Sequence, residues 1–145
     1  MLRLADDVKE SLSLRSAHEI LELLSIWKSV SVRELCEFTG YSRNQVYQAL
    51  SKLVEAGLVR KRGAGVFELA EDELARRLAD VYRYMLVREL STKVLTLLSS
   101  IKGESPVREA VLLMRKYEPI FKSELKWAAH SLAEYIGESS AMENR

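Results

Sequence analysis

The first half of the chain switches between apolar residues spaced three or four apart and short runs with strand spacing. The first spacing is typical of helices that bury one side, and the second of strands. The predicted helices span 17–28, 32–38 and 43–56. The predicted strands are a minimal one at Val30 and the two runs 58–62 and 66–69. Because only Gly63-Ala64-Gly65 separates the last two runs, they predict a β-hairpin.

Three of the predicted helix starts carry the same signal, a serine followed three residues later by Glu or Gln. This spacing is typical of a capping box, in which the serine and the later side chain each bind a free backbone N–H. The pairs are Ser16–Glu19, Ser31–Glu34 and Ser42–Gln45. Gly40 and Gly57 are predicted to end two of these helices. A short helix, a glycine turn and a second amphipathic helix predict a helix-turn-helix, and the hairpin after it is a wing.

The second half of the chain is helical in pattern throughout. Residues 72–102 contain no Gly or Pro and predict one helix about 45 Å long. The apolar pattern shifts around residues 84–87, so the alternative is a helix that bends or breaks near Ser91. Pro106 and Pro119 indicate the starts of two further helices, 106–116 and 119–136. The predicted fold is therefore mainly α: a winged helix-turn-helix domain with a small β-hairpin wing, then a long helix and two further C-terminal helices. The predicted parts are residues 1–70, a helical dimerisation region 71–137, and a disordered tail 138–145.

Helix 43–56 combines a buried apolar side with an unusual polar side. A step of 100° per residue places Val46 at the centre of the apolar side and Asn44, Gln48 and Ser51 roughly opposite. These side chains are mostly uncharged, whereas a side meant only for water more often carries Glu and Lys pairs. The pattern favours contact with a hydrogen-bonding partner, and the alternative is an ordinary solvated surface.

The charge of the chain is nearly balanced overall but uneven locally. Lys and Arg number 22 against 21 Asp and Glu. Residues 40–65 hold five basic residues against Glu55 alone, a local charge of +4, whereas residues 71–145 hold 12 of each sign. The positive charge therefore lies beside helix 43–56, as expected for a surface that binds a polyanion.

Residues 17–69 resemble the winged helix-turn-helix family of transcription regulators, of the MarR, ArsR and TrmB kind. The matching stretch is SVRELCEFTGYSRNQVYQALSKLVEAGLVRKRG, with the turn glycine at Gly40 and the recognition helix starting at Ser42. The resemblance implies that recognition helix 42–56 enters the major groove of DNA and that wing 58–69 contacts the backbone. Asn and Gln would pair with adenine and Arg43 with guanine. The implied DNA-binding residues are Ser42, Arg43, Asn44, Gln45, Tyr47, Gln48, Ser51, Lys52, Arg60, Lys61 and Arg62.

Two parts of this interpretation have structural alternatives. The wing cations would hold phosphates, but charge on an edge strand also prevents sheet-to-sheet association. The apolar residues of helix 72–102 need a partner, and a second copy of the chain is the expected one. The alternative is that the last two helices cover them within one chain. The predicted dimerisation residues are Leu74, Leu78, Val81, Met85, Leu90, Val94, Leu97 and Ile101.

Other chemistry finds little support in the sequence. Cys36 has no second cysteine for an intrachain disulfide and is expected in the core. His18 and His130 are isolated, so no metal or cofactor site is predicted, and no catalytic motif indicates an enzyme. An unknown small-molecule effector could bind among aromatic residues of the C-terminal helices, although aromatic residues at this spacing more often form core. They are Tyr117, Phe121, Trp127 and Tyr135.

The start of the chain lacks the apolar segment of a signal peptide, and no run of 18 apolar residues predicts a membrane span. We therefore expect a cytoplasmic protein. The predicted function is a sequence-specific DNA-binding transcriptional regulator that acts as a homodimer, with double-stranded DNA as its partner. The alternative is a winged-helix module that docks a protein within a larger assembly, which the low net charge and short wing favour. The two differ in salt dependence, since DNA binding weakens steeply with salt.

Overall fold

The computed structural model describes residues 3–143, with side chains described for residues 6–140. Its order of elements matches the predicted class, mainly helical with one small antiparallel sheet. The N-terminal elements are α1 (Arg3–Leu12), α2 (Arg15–Leu24), β1 (Val30–Ser31), α3 (Val32–Thr39), α4 (Arg43–Glu55), β2 (Val59–Gly63) and β3 (Val66–Leu69). The others are α5 (Glu73–Leu98), α6 (Glu104–Lys116), α7 (Glu118–Phe121) and α8 (Lys126–Glu143).

The chain divides into two compact units, one up to Arg83 and the other from Tyr84 onward. The boundary lies inside α5, whereas the sequence placed it at residue 70. In the first unit, α2, α3 and α4 surround a core of aliphatic side chains. The fully buried members include Ile20, Leu21, Leu35, Val46, Leu50, Leu53 and Leu58. Their burial removes apolar surface from water and thereby stabilises the helix-turn-helix.

The three strands form an antiparallel sheet in the order β1-β3-β2. Val30 lies opposite Phe67, so the minimal strand predicted after the first helix is confirmed. Strands β2 and β3 form the predicted hairpin, and Gly65 in its two-residue loop has a φ of 71°. The register shifts between Lys61 and Gly63, which places a bulge at Arg62.

Two of the three predicted capping boxes are confirmed, those of Ser31 with Glu34 and of Ser42 with Gln45. The prediction at Ser16 was wrong, because α2 already begins at Arg15 and its N-cap residue, Leu14, has no side-chain cap. Helix α1, which the sequence did not predict, leads into α2 through a short turn and so moves its start. Glu19 then forms an ion pair with Arg15, 3.4 Å away and one helical turn earlier.

The predicted C-terminal helices differ from the structure in extent. Helix α5 ends at Leu98 rather than at residue 102, and Asp72 caps its start by accepting the backbone N–H groups of Leu74 and Ala75. The predicted helix 119–136 is interrupted between α7 and α8. Helix α8 continues to Glu143, so residues 138–143 are helical instead of disordered, while residues 144 and 145 lie outside the described part.

The second unit is held together by apolar residues of α7, α8 and the turns between them. They are buried although α7 and α8 are separate helices, because the turns between them keep the apolar sides directed inward. The buried residues are Phe121, Leu125, Ala128, Leu132 and Tyr135. Helix α6 packs against α8 and adds the fully buried Ala110.

Candidate nucleic-acid interface

Helix α4 presents its polar side to solvent as its sequence pattern predicts. The apolar side is buried in the first unit, and only Lys52 of the predicted DNA-binding residues on this helix is partly shielded. The buried residues are Val46, Ala49, Leu50 and Leu53. The exposed ones are Ser42, Arg43, Asn44, Gln45, Tyr47, Gln48 and Ser51.

The end of α4 is fixed by backbone hydrogen bonds around Gly57. The N–H of Leu58 donates to the carbonyl of Leu53, and the N–H of Gly57 donates to that of Val54. This pattern is the Schellman motif, which needs a left-handed residue, and Gly57 has a φ of 74°. The motif turns the chain into β2 and thereby sets the position of the wing beside α4.

The capping box at the start of α4 distinguishes three amide side chains that look alike in the sequence. Ser42 Oγ accepts the N–H of Gln45 at 3.2 Å, and Gln45 Oε1 accepts the N–H of Ser42 at 3.0 Å. The carbonyl of Gln45 is therefore engaged within the protein. The side chains of Asn44 and Gln48 make no hydrogen bond within the described part of the chain, so both of their amide groups are available to a partner.

The three cations of the wing lie on two different faces of the hairpin. Lys61 is opposite the buried Phe67 and lines the same groove against α4, so it is on the inner face. Arg60 is opposite Glu68, and Arg62 also approaches Glu68, so both arginines are on the outer face. Arg60 and Arg62 therefore share one face, because residues two apart in a strand point the same way.

Carboxylates hold both arginines of the outer face. Arg60 Nε donates to Glu68 Oε1 at 2.7 Å, and its Nη2 donates to Glu71 Oε1 at 3.3 Å. Arg62 Nη1 lies 3.6 Å from the other oxygen of Glu68. The hydrogen bond that Arg60 donates to Glu68 is the main cause that raises the pKa of Arg60, and Glu71 raises it further.

The net charge around α4 and the wing is lower in the folded structure than the count over residues 40–65 of the sequence. Lys52 Nζ lies 3.2 Å from Glu10 on α1. With Glu10, Glu68 and Glu71 added to Glu55, five cations face four carboxylates. Glu10 is distant in sequence and belongs to a helix that was not predicted, so counting along the chain missed it. Of the five cations, Arg43 and Lys61 form no ion pair with any residue that the structure describes.

A shallow groove of about 310 Å³ separates α4 from the wing. Its walls combine apolar and polar side chains, and Tyr47 and Val54 are 44% and 42% exposed at its rim. The lining residues are Tyr47, Leu50, Ser51, Val54, Glu55, Lys61 and Phe67. Val54 and Phe67 were not among the residues predicted for the interface, because apolar residues at helix and strand spacing are more typical of the core.

The predicted dimerisation residues fall into two groups. Leu90, Val94 and Leu97 are buried within a single chain, which leaves them little surface for a second copy. Leu74, Val81 and Met85 are 43%, 54% and 46% exposed, and Leu78 is partly exposed. Ile101 follows the end of α5 and is exposed.

His18 and Cys36 are the remaining candidate residues of the first unit. His18 Nδ1 and the hydroxyl of Tyr82 lie 2.5 Å apart and share a hydrogen bond between α2 and α5. Burial, followed by the charge of Glu22, raises the pKa of Tyr82. Cys36 was expected in the core, but this was wrong: it is only partly buried, because Leu35 occupies the centre of the inner side of α3.

The aromatic residues considered for an effector site do not share one environment. Phe121 and Tyr135 are buried in the second unit, Tyr117 is partly exposed and Trp127 is exposed. An effector pocket lined by all four aromatic residues stays a prediction.

His130, the second isolated histidine, also has a neighbour. Its Nε2 lies 3.0 Å from Glu134, one turn along the same helix.

No helix within residues 3–143 has both the length and the apolar character that crossing a lipid bilayer requires.

A family comparison identifies residues 12–66 as matching the MarR family. The match runs from the end of α1 to the first residue of β3 and so includes the helix-turn-helix and most of the wing. No curated protein and no solved structure matches the chain. The match therefore supports a winged helix-turn-helix domain of the MarR family of transcription regulators in the N-terminal part of the chain.

Proposed function

We propose that the protein is a sequence-specific DNA-binding regulator that acts as a homodimer. In this proposal α4 lies in the major groove and the wing, residues 58–69, lies along the DNA backbone. The observation that carries the proposal is the exposed side of α4, where Asn44 and Gln48 present amide groups that no described protein group engages. Unengaged amides on a rigid helix have the donor and acceptor pattern that pairs with the edge of adenine.

Phosphate contacts would come from a small number of groups around α4. Arg43 and Lys61 are exposed and form no ion pair within residues 3–143. Ser42 lies at the start of α4, where free backbone N–H groups favour an anion. Lys52 is held by Glu10, and Arg60 and Arg62 by the wing carboxylates, so these three contribute less in the free protein. We therefore expect a moderate salt dependence.

The exposed apolar residues of α5 support association with a second copy of the chain. Leu74, Leu78, Val81 and Met85 follow a spacing of four, three and four residues, which is the spacing of a helix pair. Because Leu90, Val94 and Leu97 are already buried, the proposed contact uses the first half of α5. A two-fold dimer would bind two half-sites about 34 Å apart on a pseudo-palindromic site.

A protein-docking module remains the second candidate, because one observation favours it. The groove between α4 and the wing exposes Tyr47 and Val54 beside an interface that is close to neutral. Exposed apolar surface of this kind can accept an apolar side chain of another protein. Binding through this groove would change little between low and moderate salt, in contrast to binding of DNA.

Selection from genomic DNA fragments tests the proposal. The purified native protein is compared, at about physiological salt, with the double variant Asn44→Ala, Gln48→Ala. We leave Gln45 unchanged, because its replacement would also remove the capping box and weaken α4. The native protein should enrich fragments that share a two-fold symmetric sequence, and the double variant should enrich none.

A control variant separates base contacts from general effects of substitution. Arg77→Ala removes an exposed side chain of the same unit that pairs with Glu73 on α5, a helix that carries none of the proposed DNA-binding residues. It should select the same fragments as the native protein. Equal, weak retention of all fragments by the native protein and the double variant would contradict base recognition by α4. If neither is retained at low salt, the docking module becomes the better account.

A further inference from the structure

Two arginines and two glutamates form one cluster on the outer face of the wing, here named the wing cluster: Arg60, Arg62, Glu68 and Glu71. Arg60 and Glu68 are direct partners in the register of the β2–β3 hairpin. The Glu68 side chain is only 14% exposed, whereas those of Arg60 and Arg62 are 46% and 53% exposed. The carboxylate is therefore the shielded centre, with the two cations around it.

In Arg60, one of the two edges that can bind an anion through paired N–H groups is already occupied. A guanidinium binds a phosphate or carboxylate best through two parallel N–H groups. In Arg60 the Nε donates to Glu68 and the Nη2 to Glu71, and these two nitrogens form one such edge. Arg62 Nη1 approaches the second oxygen of Glu68. The Glu68 carboxylate thus pairs with both arginines, and together with Glu71 it gives the cluster no net charge.

We propose that Glu68 limits sequence-independent binding of DNA by keeping Arg60 and Arg62 engaged within the wing. This inference rests on the proposed function, since it concerns the same interface. It assigns the outer face of the wing a different role from the inner face, where Lys61 forms no ion pair with any described residue. Discrimination between DNA sequences then depends more on α4, because sequence-independent affinity comes mainly from cations that neutralise phosphates.

The substitution Glu68→Gln tests the inference with little change in shape. Binding is measured by fluorescence anisotropy to a 20-base-pair duplex of unrelated sequence, over a series of salt concentrations. Each phosphate that a released arginine neutralises should steepen the slope of log K against log salt by about 0.9. We expect a slope steeper by about one to two units per bound protomer, and affinity at low salt at least about tenfold higher.

Glu55→Gln is the matched control, because it removes the same charge at the rim of the same interface. Glu55 is exposed, lines the groove between α4 and the wing, and forms no ion pair within the described residues. If removing any nearby negative charge were sufficient, Glu55→Gln would change the slope as much as Glu68→Gln. We expect it to change the slope by less than half as much.

Substitution of the arginines completes a double-mutant cycle. The pair Arg60→Gln, Arg62→Gln should barely change the salt slope in the native background, where Glu68 already engages both. In the Glu68→Gln background the same pair should remove the added slope. Thermal unfolding of each variant shows whether the wing stays folded, and Glu68→Asp offers a second variant that keeps the charge and should bind like the native protein.

The outcomes separate this inference from the proposed function. An unchanged slope in Glu68→Gln, or an equal change in Glu55→Gln, would overturn the role of Glu68 even if the native protein selects a specific site. If Glu68→Gln gains salt-dependent binding while the native protein selects no fragment, the role of Glu68 stands and sequence-specific regulation fails.

Discussion

Asn44, Gln45 and Gln48 are equivalent in the sequence but have different roles in the structure. Gln45 closes the capping box of α4, so it stabilises the helix start. Asn44 and Gln48 point into solvent with both amide groups available. The spacing of Ser42 and Gln45 predicted the capping box. The sequence alone still allowed Gln45 to contact bases as well.

Replacement of Gln45 and Gln48 should therefore affect different properties. Gln45→Ala should lower the free energy of unfolding by about 0.5–1 kcal/mol, because the N–H of Ser42 loses its acceptor. Gln48→Ala should change it by less than about 0.5 kcal/mol, because the exposed Gln48 side chain makes no hydrogen bond with any described residue. Urea denaturation of both variants measures the difference. Equal effects on stability would contradict the assignment.

Tyr135 in α8 buries a hydroxyl that has no hydrogen-bond partner within the described residues. Removal of such a group should stabilise the protein, because burial separates the hydroxyl from water without compensation. We expect Tyr135→Phe to raise the free energy of unfolding by about 1 kcal/mol. The exposed Tyr84 provides the control, since Tyr84→Phe should have no measurable effect. A loss of stability in Tyr135→Phe would indicate a hydrogen bond that this account lacks.

At the scale of elements, local signals predicted the helix-turn-helix and the wing well. These signals depend only on residues close to one another in the sequence. They are the caps at Ser31 and Ser42, the glycine at position 57 and the Gly-containing hairpin loop. Helix α1 was missed because its contacts are tertiary, with α2 and α4. The break between α7 and α8 was missed because both helices bury the same continuous apolar pattern.

The site was predicted less completely than the fold, for the same reason. Its exposed residues on α4 follow from helical periodicity and were placed correctly on the surface. The partners of Lys52 and Arg60 depend on tertiary contacts, and no local pattern reveals Glu10 as a neighbour of α4. Of these partners, only Glu68 could be predicted from the sequence, since the register of the hairpin places it opposite Arg60.

Two glycines in different elements should respond in opposite ways to the same substitution. Gly57 ends α4 with a φ of 74°, which strains any residue that has a Cβ. Gly137 lies inside α8 without a positive φ and with open space around it. Gly57→Ala should destabilise the protein by about 1 kcal/mol, whereas Gly137→Ala should stabilise it by about 0.5–1 kcal/mol. Thermal unfolding measures both, and the same sign for both would refute this explanation.

At the scale of the whole molecule, the proposed dimer depends on exposed apolar residues of α5. Val81 is the most exposed of the residues proposed for this contact on the helix, so a charge there would face a second copy without compensation. We expect the native protein at micromolar concentration to have about twice the monomer mass of 16.6 kDa in light scattering. The variant Val81→Asp should have the monomer mass.

The exposed Leu112 on α6 gives a matched control for that experiment. Leu112→Asp introduces the same charge at an apolar surface position outside α5 and should leave the native mass unchanged. A native protein with a mass near 16.6 kDa would contradict the dimer. It would leave α4 able to bind only single half-sites, with lower affinity and without two-fold symmetry.

The central claim is that side chains of α4 bind the edges of bases, and one measurement tests it most directly. A duplex recovered by selection is prepared with 7-deazaadenine in place of single adenines, which removes the N7 acceptor and little else. Binding of each duplex is measured for the native protein and for Gln48→Ala and Asn44→Ala. At one adenine, the native protein should lose about 1–3 kcal/mol of binding free energy, while the variant lacking its partner loses nothing further. Equal losses in the native protein and both variants at every adenine would contradict base recognition by α4.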